Sequence, residues 1–121
     1  MIIVRHVSYQ FLQIGVFNDR AERLPSCSQF RMCSSNFNAF SQFIKKNLNY
    51  ANHIRDTYHN DAGSKAKYNM GNVDTFINYD RIPIVLVTLP SFMEFNLVIG
   101  NDVLVLDSTQ LEEIADKVLE L

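Results

Sequence analysis

Residues 82–89 read Ile-Pro-Ile-Val-Leu-Val-Thr-Leu, an almost wholly apolar and β-branched run that constrains the fold more than any other part of the chain. Such a run suits a strand covered on both faces. After it, Met93, Phe95, Leu97 and Ile99 alternate with Glu94, Asn96 and Val98, the period of two that marks a half-exposed strand over residues 93–99. Gly100-Asn101 supplies the positive φ angles of a tight hairpin, and residues 103–106 return as a third apolar strand. Asp107-Ser108-Thr109 ends that strand, and Thr109 with Glu112 has the spacing of a capping box. A helix over 109–121 follows, with Leu111, Ile114, Ala115, Val118 and Leu121 on one side. Strands joined by short turns pair antiparallel. A helix that comes after them rather than between them argues against alternating βαβ units.

A second helix is expected over 36–58, where Phe37, Phe40, Ile44, Leu48, Ala51 and Tyr58 recur at helical spacing with Phe43 and Ile54 beside them. Ser34, Ser35 or Asn36 can cap its first turn. Lys45, Lys46, Asn47, Asn49, Asn52 and Arg55 take the outer face, so Phe40, Ile44, Leu48 and Ala51 are expected to be buried. Residues 2–16 fit one long strand, a hairpin, or a strand running into a helix. The β-branched and aromatic content favours strand. Residues 60–72 read as a loop, and Val73, Phe76 and Ile77 suggest a short helix after it. Together these segments describe one α+β domain over residues 1–121. An antiparallel sheet, joined by the N-terminal strand, would carry the long helix and the C-terminal helix on one face.

Several function classes are excluded on composition. With 121 residues, 47% hydrophobic and 20% charged, the chain is neither disordered nor fibrous. A net charge of −2 lacks the basic excess of a general nucleic-acid binder. The longest uncharged apolar stretch, 82–93, is broken by Pro83 and Pro90 and falls short of the roughly 20 residues a membrane span needs. The N-terminus lacks a clean apolar core and a small-residue cleavage site, so a cytoplasmic protein without a signal peptide is expected. Cys27 and Cys33 are separated by five residues, and no further cysteine exists to complete a zinc site. Two free thiols in a reducing compartment are the expectation.

Four scattered glycines cannot build a phosphate-cradling loop, and no nucleophile elbow, zincin helix or EF-hand loop is present. The densest polar cluster, around His53, Asp56 and His59, contains what acid–base or metal chemistry would use. On a helix, however, residues six apart diverge by about 240°. Ion pairing at a helix end explains the cluster without catalysis. No catalytic residue, metal or cofactor is therefore assigned, and His53, Asp56 and His59 remain the best an enzyme reading could offer. Phe30, Phe37, Phe40 and Phe43, interleaved with Arg31, Lys45 and Lys46, could stack nucleic-acid bases. Their place on the helical stripe makes them core instead.

Charge is unevenly placed. Residues 1–81 sum to +4, and residues 82–121, with one Lys and seven carboxylates, to −6. Glu94, Glu112, Glu113, Asp116 and Glu120 are the candidate binding residues, an acidic surface that would steer a basic protein partner. The plainer alternative is a solvated surface that happens to be acidic. The expectation is a small non-enzymatic protein-binding module, of the immunity-like kind that accessory or mobile genes encode. Whether it acts as one copy or as a homodimer stays open. The alternative is a small-molecule-binding domain with an aromatic-lined pocket between helix and sheet. A filled core with an exposed apolar patch would favour the first, and a deep apolar cavity the second.

Overall fold

The stretch over 2–16 is a hairpin in the computed structural model, which describes residues 1–8, 10–17, 26–58, 71–78, 83–90 and 93–121. Strand β1 (Ile2–Ser8) pairs antiparallel with β2 (Phe11–Val16), with an irregular register between His6 and Ser8. Ile2, Leu12, Ile14 and Val16 turn inward. Arg5 interrupts the apolar pattern without ending the strand, because it faces Gln13 across the hairpin and donates Nε to its Oε1 at 2.6 Å. Strand β3 (Ser26–Arg31) joins β2 antiparallel and completes a three-stranded sheet. Its buried groups are Ser28 and Phe30. With one large apolar side chain, this strand left no periodic trace in the sequence.

A 3-10 turn at Ser34–Asn36 leads into helix α1 (Phe37–Tyr58). Phe40, Ile44, Leu48 and Ala51 are buried, as the helical stripe requires, and so are Phe37, Phe43 and Ile54. Asn36, a candidate cap, donates Nδ2 to Asn78 Oδ1 at 3.1 Å and so ties the start of the helix to the chain after the next strand.

That next element corrects an expectation. Residues 72–77 are not a short helix but strand β4 (Asn72–Ile77), paired antiparallel with β5 (Pro83–Leu89). Its pattern is inverted. Asn72, Asp74 and Phe76 are the more covered positions, and Val73, Thr75 and Ile77 are exposed. Asp74 is accommodated because α1 brings a cation, Lys46, and an amide donor, Asn47, to it. Lys46 Nζ lies 2.9 Å from Oδ2, Asn47 Nδ2 donates to the same oxygen at 3.1 Å, and Thr75 N donates to Oδ1 at 2.9 Å. The hydrogen bond from Lys46 is the leading cause that holds the Asp74 carboxyl below its usual range; burial opposes it, and the Asn47 and Thr75 bonds add to it. A depressed folded-state value means that ionised Asp74 stabilises the fold above the ordinary aspartate range, near pH ~3.9, and that this contribution is lost as pH falls through the folded value. Denaturant midpoints measured from pH 5 downward should therefore fall more steeply for the wild type than for Asp74→Asn. Parallel profiles would show that the Lys46–Asp74 contact carries no stability.

Strand β6 (Glu94–Ile99) and β7 (Asp102–Asp107) continue the antiparallel order, giving a second sheet β4-β5-β6-β7. Gly100 turns the β6–β7 hairpin at φ +60, where an L side chain is strained. Helix α2 (Ser108–Leu119) starts directly from β7. Its capping box is Asp107 with Gln110, not Thr109 with Glu112. Asp107 Oδ1 accepts from Gln110 N at 2.7 Å, and Gln110 Oε1 accepts from Asp107 N at 3.0 Å. Because β7 runs to Asp107 itself, Thr109 already lies inside the first helical turn.

The chain is one small α+β domain with antiparallel sheets and its long and C-terminal helices packed on each other. The N-terminal strands do not extend the second sheet but form their own. The edges β3 and β7 lie side by side without a shared ladder, and Ser28 Oγ donates to Asp102 Oδ2 at 3.1 Å between them. One hydrophobic cluster draws on both sheets and both helices. Ser41 Oγ donates to the Ala115 carbonyl at 2.9 Å where the helices meet. Each large apolar side chain in such a core contributes about 1.5–3 kcal/mol of transfer free energy.

Candidate functional site

Since side chains alternate across a strand, the covering of one face of the second sheet by helices leaves the other to be read off by parity. On the inner side Ile84, Leu86, Phe95, Leu97, Ile99, Leu104 and Leu106 are buried. On the outer side the register aligns Thr75, Val85, Val98 and Val103 in one row, and Val73, Val87, Asn96 and Val105 in the next. Ile77 and Pro83 lie at one end of this face and Leu89, Glu94 and Asp107 at the other. Val73, Ile77, Val103 and Val105 are 65%, 71%, 50% and 56% exposed on this face, and Val85, Val87, Asn96 and Val98 between them are half-buried. Near its centre Asn96 Oδ1 is shielded from water and has no hydrogen-bond partner among the described residues.

The first sheet treats its outer face differently. There the register aligns Arg5, Gln13 and Gln29, and Gln13 Nε2 also donates to Cys27 Sγ at 3.3 Å. The centre of the first sheet's exterior is thus a hydrogen-bonded polar row, where the second sheet carries valines. A four-stranded face of strands this long covers roughly 400 Å² in projection, within the ~300–600 Å² of the largest apolar patch on a typical monomer, a patch that is often functional.

The acidic residues singled out in the sequence do not form one surface. Glu94 sits on the outer sheet face, directly opposite Asp107 across β6 and β7, a like-charged pair that borders a groove of about 420 Å³ with Met93, Val105 and Leu106. Glu112, Glu113, Asp116 and Glu120 belong to α2 and its C-terminus, in the layer on the opposite side of that sheet. Two of these four are engaged. Asp116 pairs with Lys45 at 3.2 Å, and Glu113 with Lys117 at 3.3 Å. Lys117 also donates to the Ile2 carbonyl at 2.8 Å. α1 therefore supplies a second cation that the local sequence around Lys117 does not reveal. Glu112 borders another groove, of about 320 Å³, with Lys45, Leu48, Asn49, Asn52 and Ser108.

No family model, curated protein or solved structure matches this chain.

His53 and Asp56 are exposed on the last turns of α1, and His53 Nδ1 lies 3.5 Å from Thr57 Oγ1. His59 lies outside the described residues, as do residues 60–70 of the expected loop and Ile82 of the expected strand. Among the described residues no group of three or more His, Cys, Asp or Glu side chains could hold a metal ion. No described helix is long and apolar enough to cross a membrane. Phe30, Phe40, Phe43 and Phe76 are packed on one another. Phe40 touches Phe30, Phe43 and Phe76 at centroid distances of 6.2, 6.5 and 5.6 Å. Neither groove bordering Glu94 or Glu112 is lined by them.

Proposed function

We propose that the protein is a non-enzymatic protein-binding module that docks through the outer face of the β4-β5-β6-β7 sheet. The observation that carries this reading is the exposure of Val73, Val103 and Val105 on one face of a sheet whose other face is packed against the helices. Apolar surface of this extent in contact with water costs free energy in proportion to its area, and large exposed patches of this kind mark interaction sites. Asn96 Oδ1 adds a polar requirement, because a docked donor would satisfy an acceptor that otherwise stays unpaired. The small-molecule alternative loses support from the aromatic cluster, whose rings fill the core.

Site-specific photocrosslinking in the protein's native cells tests the reading. A photoreactive residue at position 105, on the sheet face, should give discrete protein adducts. The same residue at position 52, on the exposed side of α1, should give none. An absence of adducts at 105, or equal capture at both positions, would overturn the proposal.

A further inference from the structure

We infer that the docked partner adds an extended segment of its own chain, antiparallel, to the outer edge of β4, with a basic residue facing Asp74; this rests on the docking reading above. Thr75 N donates to the neighbouring Asp74 Oδ1 at 2.9 Å, and Ile77 lies opposite Pro83, which has no N–H. Antiparallel pairs alternate between bonded and non-bonded, so Asn72, Asp74 and Phe76 bond to β5 and the backbone groups of Val73, Thr75 and Ile77 point off the sheet. Only another extended backbone, about 4.8 Å away, pairs such a row. The side chains of the same three residues lie on the outer face, where Val73 and Ile77 are its most exposed apolar groups. The other sheet edges are closed or blunted. β3 and β7 lie side by side. On β1 the register breaks between His6 and Ser8, and Lys117 Nζ takes the Ile2 carbonyl. Bulges and edge cations of this kind deter strand addition. β4 keeps an unbroken register with β5, contains no Pro, Lys or Arg, and among the described residues has no strand beyond it.

Asp74, the one charge on β4, decides what can add. An incoming strand takes the Thr75 N–H for its own carbonyl, so Asp74 Oδ1 loses that donor while Oδ2 keeps Lys46 and Asn47. The residue that arrives opposite Asp74 belongs to a non-hydrogen-bonded pair, where side chains come closest. Lys or Arg there restores a donor and complements the carboxylate, whereas Asp or Glu adds like charge. A second copy of β4 in full antiparallel register would set Phe76 against Asp74 and offer no donor.

Amide hydrogen exchange of the full chain, with the capped peptide Thr-Val-Thr-Val-Lys-Val-Thr-Val-Thr as probe, tests this. In the protein alone the amides of Val73 and Ile77 should exchange faster than those of Asp74 and Phe76. Equal protection would mean that the edge is already closed and overturns the proposal. At roughly ten times its dissociation constant the peptide should slow exchange at Val73, Thr75 and Ile77 about tenfold. Glu in place of the peptide's Lys should weaken binding about tenfold, an attraction lost and a repulsion gained. N-methylation of the peptide's valines, whose N–H groups face β4, should abolish binding, and N-methylation of its threonines should not. Thr75→Pro should abolish it too, with an unchanged far-UV circular dichroism spectrum, because an edge strand tolerates Pro where its N–H points outward. No slowing up to millimolar peptide overturns strand addition, as does equal binding of the Lys and Glu peptides. Protection that rises with protein concentration alone would place a second copy on the edge and also overturns it. If the peptide fails while position 105 still yields crosslinked adducts, the docking reading stands and only strand addition is wrong. If those adducts are absent as well, both fall.

Discussion

Phe40→Ala should destabilise the protein by about 3–5 kcal/mol, the cost typical of removing a buried phenylalanine from a packed core. Phe40 is 0% exposed and stands where α1 meets both sheets, in ring contact with Phe30 of β3, Phe43 of its own helix and Phe76 of β4. Truncation removes all three contacts at once and leaves a void that the surrounding helices and strands can fill only in part. A denaturant titration of the two proteins measures the loss. A change below about 1 kcal/mol would mean that the aromatic cluster repacks without Phe40, contrary to close packing of the core. Leu48→Ala, two turns further along the same buried stripe, should cost about 2–5 kcal/mol for the same reason.

A second large effect separates the two faces of a single strand. Leu104 and Val105 are adjacent on β7, yet Leu104 is 1% exposed beneath the helices and Val105 is 56% exposed on the outer face. Leu104→Ala should cost about 2–5 kcal/mol. Val105→Ala, measured on the isolated protein, should cost about 0.5 kcal/mol, in the range of ordinary surface changes. Comparable losses at the two positions would show that the valine face is covered within one chain, and the proposed docking surface would not exist.

The contrast between these strands also shows why parts of the chain were legible and others were not. The pattern at 93–99 and the stripe at 36–58 carry their own period, because each element buries one face against many apolar neighbours. β4 misleads for the opposite reason. Val73, Phe76 and Ile77 are spaced like a helical face, but the strand turns Asp74 and Asn72 toward α1 and its valine and isoleucine outward. That inversion is tolerable only because Lys46 and Asn47 arrive from a helix some thirty residues earlier to hold the carboxylate. β3 was silent because Ser28, its second buried group, is small and polar and finds its partner at Asp102 on the other sheet.

The candidate site divides along the same line. Glu94 and the helix α2 carboxylates are adjacent in a tally of sequence charge, and the sheet between them puts them on opposite sides. Lys45 reaches Asp116 only through the packing of α1 on α2. The run at 82–89 reads as a strand covered on both faces, but in β5 only Ile84, Leu86 and Thr88 are buried while Val85, Val87 and Leu89 are half-buried on the outer face, so its apolar character did not mark the side that the helices leave open. Local sequence determined the elements with a strong period, the hairpin at Gly100 and the antiparallel α+β class, because those follow from backbone geometry and from which side chains avoid water within one segment. The tertiary structure alone decided that the strands divide into two sheets, that both helices cover the same side of the second, and that its valine face is left bare. Those outcomes depend on contacts between segments far apart in the chain, and no local period encodes which of two apolar faces the helices will cover.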